Sequence, residues 1–198
     1  MFTKALFAAL AFSAASAGAT PLLNGDFEAE LAGWTTSGNV ESANFGGGSY
    51  WGAGSPAQNG NFGVAFNNGD RNPVGSIWQR FGTTSNAQYT VNFEFGATAC
   101  TISCGQSLLA SVIGADGTTV LASKIVDGGS NGALGRFSFN FGATGTTATL
   151  RFSDVATNQS ISLDGVLDNV SVTAVPEPAS LALLGLGLAG IAMRRRRA

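Results

Sequence analysis

Tyr89-Thr90-Val91-Asn92-Phe93-Glu94-Phe95 alternates apolar and polar side chains without a break. Successive side chains of a strand point to opposite faces, so this period collects Tyr89, Val91, Phe93 and Phe95 on one side and Thr90, Asn92 and Glu94 on the other. The same period recurs. Phe137, Phe139 and Phe141 alternate with Ser138 and Asn140, and Ala148, Leu150 and Phe152 alternate with Thr149 and Arg151. Leu108–Ile113 is a more continuous apolar run, which suits a central strand. Asp116-Gly117 separates it from Thr118–Ile125, a hairpin signal. Further strands are expected at Leu22–Phe27, Phe62–Phe66, Ile77–Phe81, Ser160–Leu163 and Val166–Val172. Residues 36–75, which contain Gly46-Gly47-Gly48 and Asn67-Asn68-Gly69-Asp70, read as long surface loops between short strands. No window between the two ends of the chain has a helical period. About nine or ten short strands at this spacing predict an all-β, two-sheet β-sandwich of the jelly-roll kind. The 28 glycines then serve the tight turns, where φ must be positive.

The two ends stand apart from this pattern. At the N-terminus Lys4 precedes an apolar run, Ala5–Ala15, and small residues follow at Ala15-Ser16-Ala17 and Ala17-Gly18-Ala19. Charge, apolar run and small-residue site in that order predict a secretory signal peptide over residues 1–19 rather than a first core helix. At the C-terminus Val175-Pro176-Glu177-Pro178 leads into the apolar stretch Ala179–Met193, and Arg194, Arg195, Arg196 and Arg197 follow. The two prolines keep a helix from running back into the domain. A helix over the apolar stretch spans about 22 Å, short of the ~30 Å hydrocarbon core, with arginine side chains to make up part of the difference. The positive-inside rule puts the four arginines in the cytoplasm and the preceding domain in the periplasm, the side to which a signal peptide also delivers it.

Pro176-Glu177-Pro178, the apolar run and the arginine cluster together resemble the PEP-CTERM sorting signal of Gram-negative bacteria. That resemblance implies a single transmembrane helix within residues 176–198 and processing by an exosortase, an integral-membrane transpeptidase. It further implies a passing inner-membrane intermediate and a destination at the cell surface or in the extracellular matrix, often beside exopolysaccharide.

The body between these ends, residues 20–175, is long enough for one well-packed domain. It holds five basic residues (Arg71, Arg80, Lys124, Arg136 and Arg151) against eleven acidic ones. A net charge near −6 opposes nucleic-acid binding, which needs a basic face. The chain has no histidine. That removes imidazole bases, Ser–His and Cys–His nucleophile pairs and histidine metal ligands, so no enzyme is expected. Paired carboxylates hydrolyse glycosides, but Asp164 and Asp168 lie on one hairpin arm with nothing else to support that role.

The body opens with Leu23-Asn24-Gly25-Asp26-Phe27-Glu28 and Gly33-Trp34, and closes with Leu167-Asp168-Asn169-Val170-Ser171-Val172. With the strand pattern, these ends resemble the galactose-binding-like jelly roll of several carbohydrate-binding module families. Ile77-Trp78-Gln79-Arg80-Phe81 and Tyr89–Phe95 look like its central strand pair. On a regular strand Asp168 shares a face with Val166, Val170 and Val172. An inward Asp168 is a buried charge, which costs several kcal/mol unless compensated by a cation or by several hydrogen-bond donors. The resemblance implies a structural calcium where the first and last strands meet, with Glu28 and Asp168 at the matching acidic positions and Asp26 as a further candidate. Calcium takes six to eight oxygens, carbonyls among them; backbone N–H donors alone remain the other way to settle Asp168.

Cys100 and Cys104 lie between two strand candidates, and export to an oxidising compartment predicts a disulfide between them. Tyr50 and Trp51 lie in a glycine-rich stretch and are the candidates for sugar contact, with Arg80 as a hydrogen-bonding partner. Trp34 and Trp78 sit beside strand signals and are expected in the core. The expectation from sequence is an exported matrix or surface protein of structural or adhesive role, with exopolysaccharide recognition as the alternative.

Overall fold

The computed structural model describes residues 21–44, 60, 62–66, 74–97, 106–128, 134–155 and 165–176. Ten strands run through them: β1 (Thr35–Ser37), β2 (Val40–Asn44), β3 (Phe62–Phe66), β4 (Ser76–Gly82), β5 (Gln88–Ala97), β6 (Ser107–Ile113), β7 (Val120–Asp127), β8 (Gly135–Gly142), β9 (Thr147–Asp154) and β10 (Gly165–Ala174). They form two antiparallel five-stranded sheets, β1-β4-β9-β6-β7 and β2-β3-β10-β5-β8. No helix occurs among the described residues.

Alternation does what the sequence predicts. Tyr89, Val91, Phe93 and Phe95 of β5 and Ala148, Leu150 and Phe152 of β9 are buried between the sheets. The Phe93 ring meets Phe152 edge-on across that gap, 5.2 Å between centroids, an arrangement aromatic quadrupoles favour. The hairpin at Asp116-Gly117 is also present: Gly117 has φ +74°, and the Asp116 carboxylate accepts the N–H groups of Thr118 and Thr119 at 3.0 Å each. These bonds, with the one from the Thr119 hydroxyl first among them, hold the Asp116 carboxyl down at about 2.

Three expectations are corrected. Leu22–Phe27 is not a strand, because Asn24 and Phe27 take positive φ (50° and 53°) and turn the chain. The Asn24 side chain ties that turn together, donating to the Glu30 and Ala32 carbonyls and accepting from Ala29 N–H. The segment still reaches the last strand, where Val170 N–H donates to the Gly25 carbonyl at 2.7 Å. A Cβ on Gly25 would collide with the Val170 carbonyl oxygen, so only glycine fits there. Second, β4 and β5 are not a pair: they lie in different sheets. Third, within residues 36–75 the expected strand Phe62–Phe66 is present as β3, but it pairs with a strand that was not expected, β2. The signal peptide, the Ser160–Leu163 strand, the Cys100–Cys104 disulfide and the transmembrane tail fall outside the described residues.

Candidate functional site

β10 brings together the acidic residues singled out from the sequence, by a route that plain alternation does not give. Asp168 pairs with Glu94 on β5, but the next matched pair is Ser171 with Asn92. Three steps on β10 thus face two on β5, a β-bulge, with Asn169 in the left-handed region at φ 51°. Leu167 before the bulge points into the core, and Val170 and Val172 after it do the same. Asp168 therefore shares a face with Val166 but not with Val170 and Val172, and it stands on the outer side of the second sheet, not between the sheets. It is nevertheless only 1% exposed, and Val166 beside it packs with Ala43, Ala65 and Leu134.

Burial pushes the Asp168 carboxyl up to about 7, the Asn169 backbone N–H opposes that rise, and the negative charges of Glu94, Glu28 and Asp26 add to it. Asp168 Oδ1 accepts a hydrogen bond from Asn169 N–H at 2.7 Å. Glu28 Oε1 accepts from Phe62 N–H at 3.1 Å. Glu94, which sequence reasoning missed, is held at both oxygens: Arg136 Nε donates to Oε1 at 2.8 Å and Asn169 Nδ2 to Oε2 at 2.9 Å. The polar period of β5 already pointed Glu94 outward; its partner was hidden because the bulge is invisible to alternation. Asn92, Glu94, Arg136, Ser138 and Asn169 line a groove of about 270 Å³ here. Among the described residues the charges acting on Asp168 are all negative, so the charge balance of this corner fits a cation. Among the described residues no three acidic, histidine or cysteine side chains converge as a metal cluster. A cation would therefore draw on Asp168, one neighbouring carboxylate and backbone carbonyl oxygens.

The outer face of the first sheet differs in chemistry. Ile77, Gln79 and Phe81 of β4 point inward and are buried, so Trp78 and Arg80 point outward. This corrects the expectation for Trp78: it is half-buried on the open face, whereas Trp34 is in the core, 5.3 Å from Phe27. Trp78 is opposite Arg151 of β9 in register, and Arg80 is opposite Thr149. The Arg151 guanidinium lies 5.6 Å from the Trp78 ring centroid, a cation–π stack. It also donates through Nη2 to Ser76 Oγ at 3.1 Å, and Ser76 Oγ in turn bonds Ser153 Oγ at 3.1 Å. Arg80 Nη2 donates to Thr147 Oγ1 at 2.8 Å. Val120 and Ile125 on β7 add an exposed apolar margin, 56% and 64% exposed. Of the ligand-contact candidates, Arg80 is on this face, and Tyr50 and Trp51 fall outside the described residues, as do Asp164, Glu177, Pro178 and Arg194–Arg197. Pro176 is exposed just after Val175, whose N–H donates to the Gln88 carbonyl at 2.8 Å.

Residues 174–197 match the PEP-CTERM protein-sorting motif. Residues 20–173 match the family described as protein of unknown function DUF642. Among solved structures the chain is similar to the carbohydrate-binding module TmCBM61 in complex with β-1,4-galactotriose, with TM-score 0.56, 16% identity, and coverage of 79% of this chain and 99% of that one. It is also similar to a family 16 carbohydrate-binding module-2, with TM-score 0.52, 15% identity, and coverage of 76% and 97%. A third is the enzymatically active domain of tailspike protein 4 of bacteriophage CBA120, with TM-score 0.53 and 11% identity, where the match covers 79% of this chain and 21% of that one. At these identities the likeness is one of fold. No curated protein matches the sequence.

Proposed function

We propose, for a chain that belongs to the DUF642 family and carries a PEP-CTERM sorting motif, that its body is a carbohydrate-binding domain displayed at the bacterial surface. The observation that carries this reading is the outer face of the first sheet. A tryptophan ring, two arginines and a row of serine and threonine hydroxyls share an open sheet surface. Sugars are recognised by that combination of apolar ring and directed polar groups. The sandwich fold shared with TmCBM61, which is described with β-1,4-galactotriose, supports it. The role is adhesive: the domain holds exopolysaccharide and does not cleave it, in keeping with a chain that lacks histidine.

The tail supports a route through the inner membrane of a Gram-negative cell, with an exosortase-type enzyme acting at Pro176-Glu177-Pro178. Intact-mass measurement of surface material lacking Arg194–Arg197 is the expected result, and mature protein that keeps them would refute processing. A calcium ion held by Asp168 and Glu28, with Asp26 and Glu94 adding negative field, would neutralise the buried corner and tie the N-terminal turn to β10. Its part is structural.

A glycan array with calcium present tests the binding reading. Trp78→Ala should lower affinity for the best-bound saccharide at least about tenfold, the loss of roughly 1.4 kcal/mol. Failure to bind any saccharide would sink the proposal.

A further inference from the structure

We infer that the first sheet's outer face selects an acidic polysaccharide, one whose repeating sugars carry carboxylates; this rests on the carbohydrate-binding reading and narrows its ligand class. The body is acidic, with eleven carboxylates against five basic side chains. In such a chain arginines find carboxylate partners easily, as Arg136 does with Glu94 on the opposite sheet. Arg80 and Arg151 have none among the described residues. Each spends one Nη donor on a neighbouring hydroxyl, Thr147 and Ser76 respectively, and a guanidinium has five N–H donors in a fixed fork. Most of that fork is left for a ligand.

The two are placed to act together. Arg80 faces Thr149 in register, and Arg151 lies two residues further along the same strand. They are diagonal neighbours on adjacent strands, about 7–8 Å apart at the backbone. The Trp78 ring beneath Arg151 holds its guanidinium in place, so less side-chain entropy is lost when an anion binds. Among the described residues no acidic side chain lies beside them on the face. Asp127 is the acidic outward residue on the sheet's described strands; it sits on β7 at the far corner, where Ser107 Oγ donates to it at 2.6 Å. Two positive groups set among hydroxyls match a ligand that alternates carboxylates with hydroxyl-bearing rings. A nucleic acid fits less well, because two arginines on a body of net negative charge offer too few phosphate contacts.

Calorimetry on the full mature body, calcium present, tests this with three probes: an alginate hexasaccharide, the same oligosaccharide with its carboxyl groups reduced to alcohols, and a single-stranded oligonucleotide. The hexasaccharide should bind at least about tenfold more tightly than its reduced form, and Arg80→Gln and Arg151→Gln should each weaken the acidic probe more than the reduced one, cutting that preference several-fold. Raising ionic strength towards 1 M, where the Debye length is about 3 Å, should weaken acidic binding and spare neutral binding. Equal affinity for the acidic and reduced oligosaccharides overturns the inference and leaves carbohydrate binding standing. An oligonucleotide that binds as tightly as the hexasaccharide overturns it as well. Silence from both oligosaccharides beside binding to neutral sugars on the glycan array overturns the acidic preference alone, and silence on the array as well defeats the carbohydrate reading itself.

Discussion

The two outer faces of this sandwich are built from the same kind of strand and reach opposite chemistry. On the first sheet alternation is unbroken along β4 and β9, so every second residue from Ser76 to Arg80 is presented outward in register with β9. The result is a flat row of hydroxyls, a ring and two guanidiniums. On the second sheet one extra residue at Asn169 interrupts β10, and the outward side gains a buried carboxylate where the period alone would place it inside. A regular strand displays side chains; a bulge repositions one. The first face is suited to contact with something outside the molecule, and the second to holding the molecule's own ends together.

On that division, perturbing the second face should cost stability, and perturbing the first should cost binding alone. The largest stability effect belongs to Asp168. Its carboxyl titrates near 7 when folded, against an ordinary 3.8. Folding takes up a proton between those values. The stability from the neutral form is therefore complete below about pH 4 and is lost as pH rises through about 7. With calcium chelated, the unfolding free energy should fall by about 2 to 3 kcal/mol between pH 5 and pH 8. Saturating calcium should flatten the slope, and Asp168→Asn should remove both the slope and the calcium response. A chelated wild-type protein with no pH slope would break the account of this corner.

Glu94→Gln is the next test. It removes an ion pair whose arginine is mostly exposed, so the loss should be at most about 1 kcal/mol. It also removes a charge that raises Asp168, so the pH slope should move to lower pH in the same denaturation series. Glycan affinity should not change; a large drop would put the ligand on the second face. Least of all, Arg80→Gln should leave unfolding free energy within about 0.5 kcal/mol of wild type, because Arg80 is an exposed surface residue with one side-chain bond. A cost well above that would make this arginine structural and blur the contrast.

Much of the architecture was legible from periodicity. β5, β8 and β9 are written in the sequence as alternating phenylalanines, leucines and valines, and their burial follows the period. What escaped was whatever depends on a single backbone turn. Leu22–Phe27 has the apolar content of a strand, but Asn24 and Phe27 adopt positive φ and convert it to a clasp around the Asn24 side chain. The acidic corner was half legible: Asp26, Glu28 and Asp168 were found at the two ends of the body, yet Glu94 was not, because strand pairing is not local. Trp78 was misplaced for a different reason. Its neighbours Ile77 and Phe81 are core residues, and that adjacency was given more weight than the parity that sends Trp78 the other way.

The hydrogen bond from Val175 N–H to the Gln88 carbonyl fastens the last residue before Pro176 to the start of β5. β10, which ends there, is an inner strand with β3 on one side and β5 on the other. At the tail end β10 pairs with β5 alone, from Ser171 to Ala174, and β3 joins it only at Gly165–Leu167. Force carried along the sorting segment therefore meets the clasp at Gln88 first and the β5 ladder next.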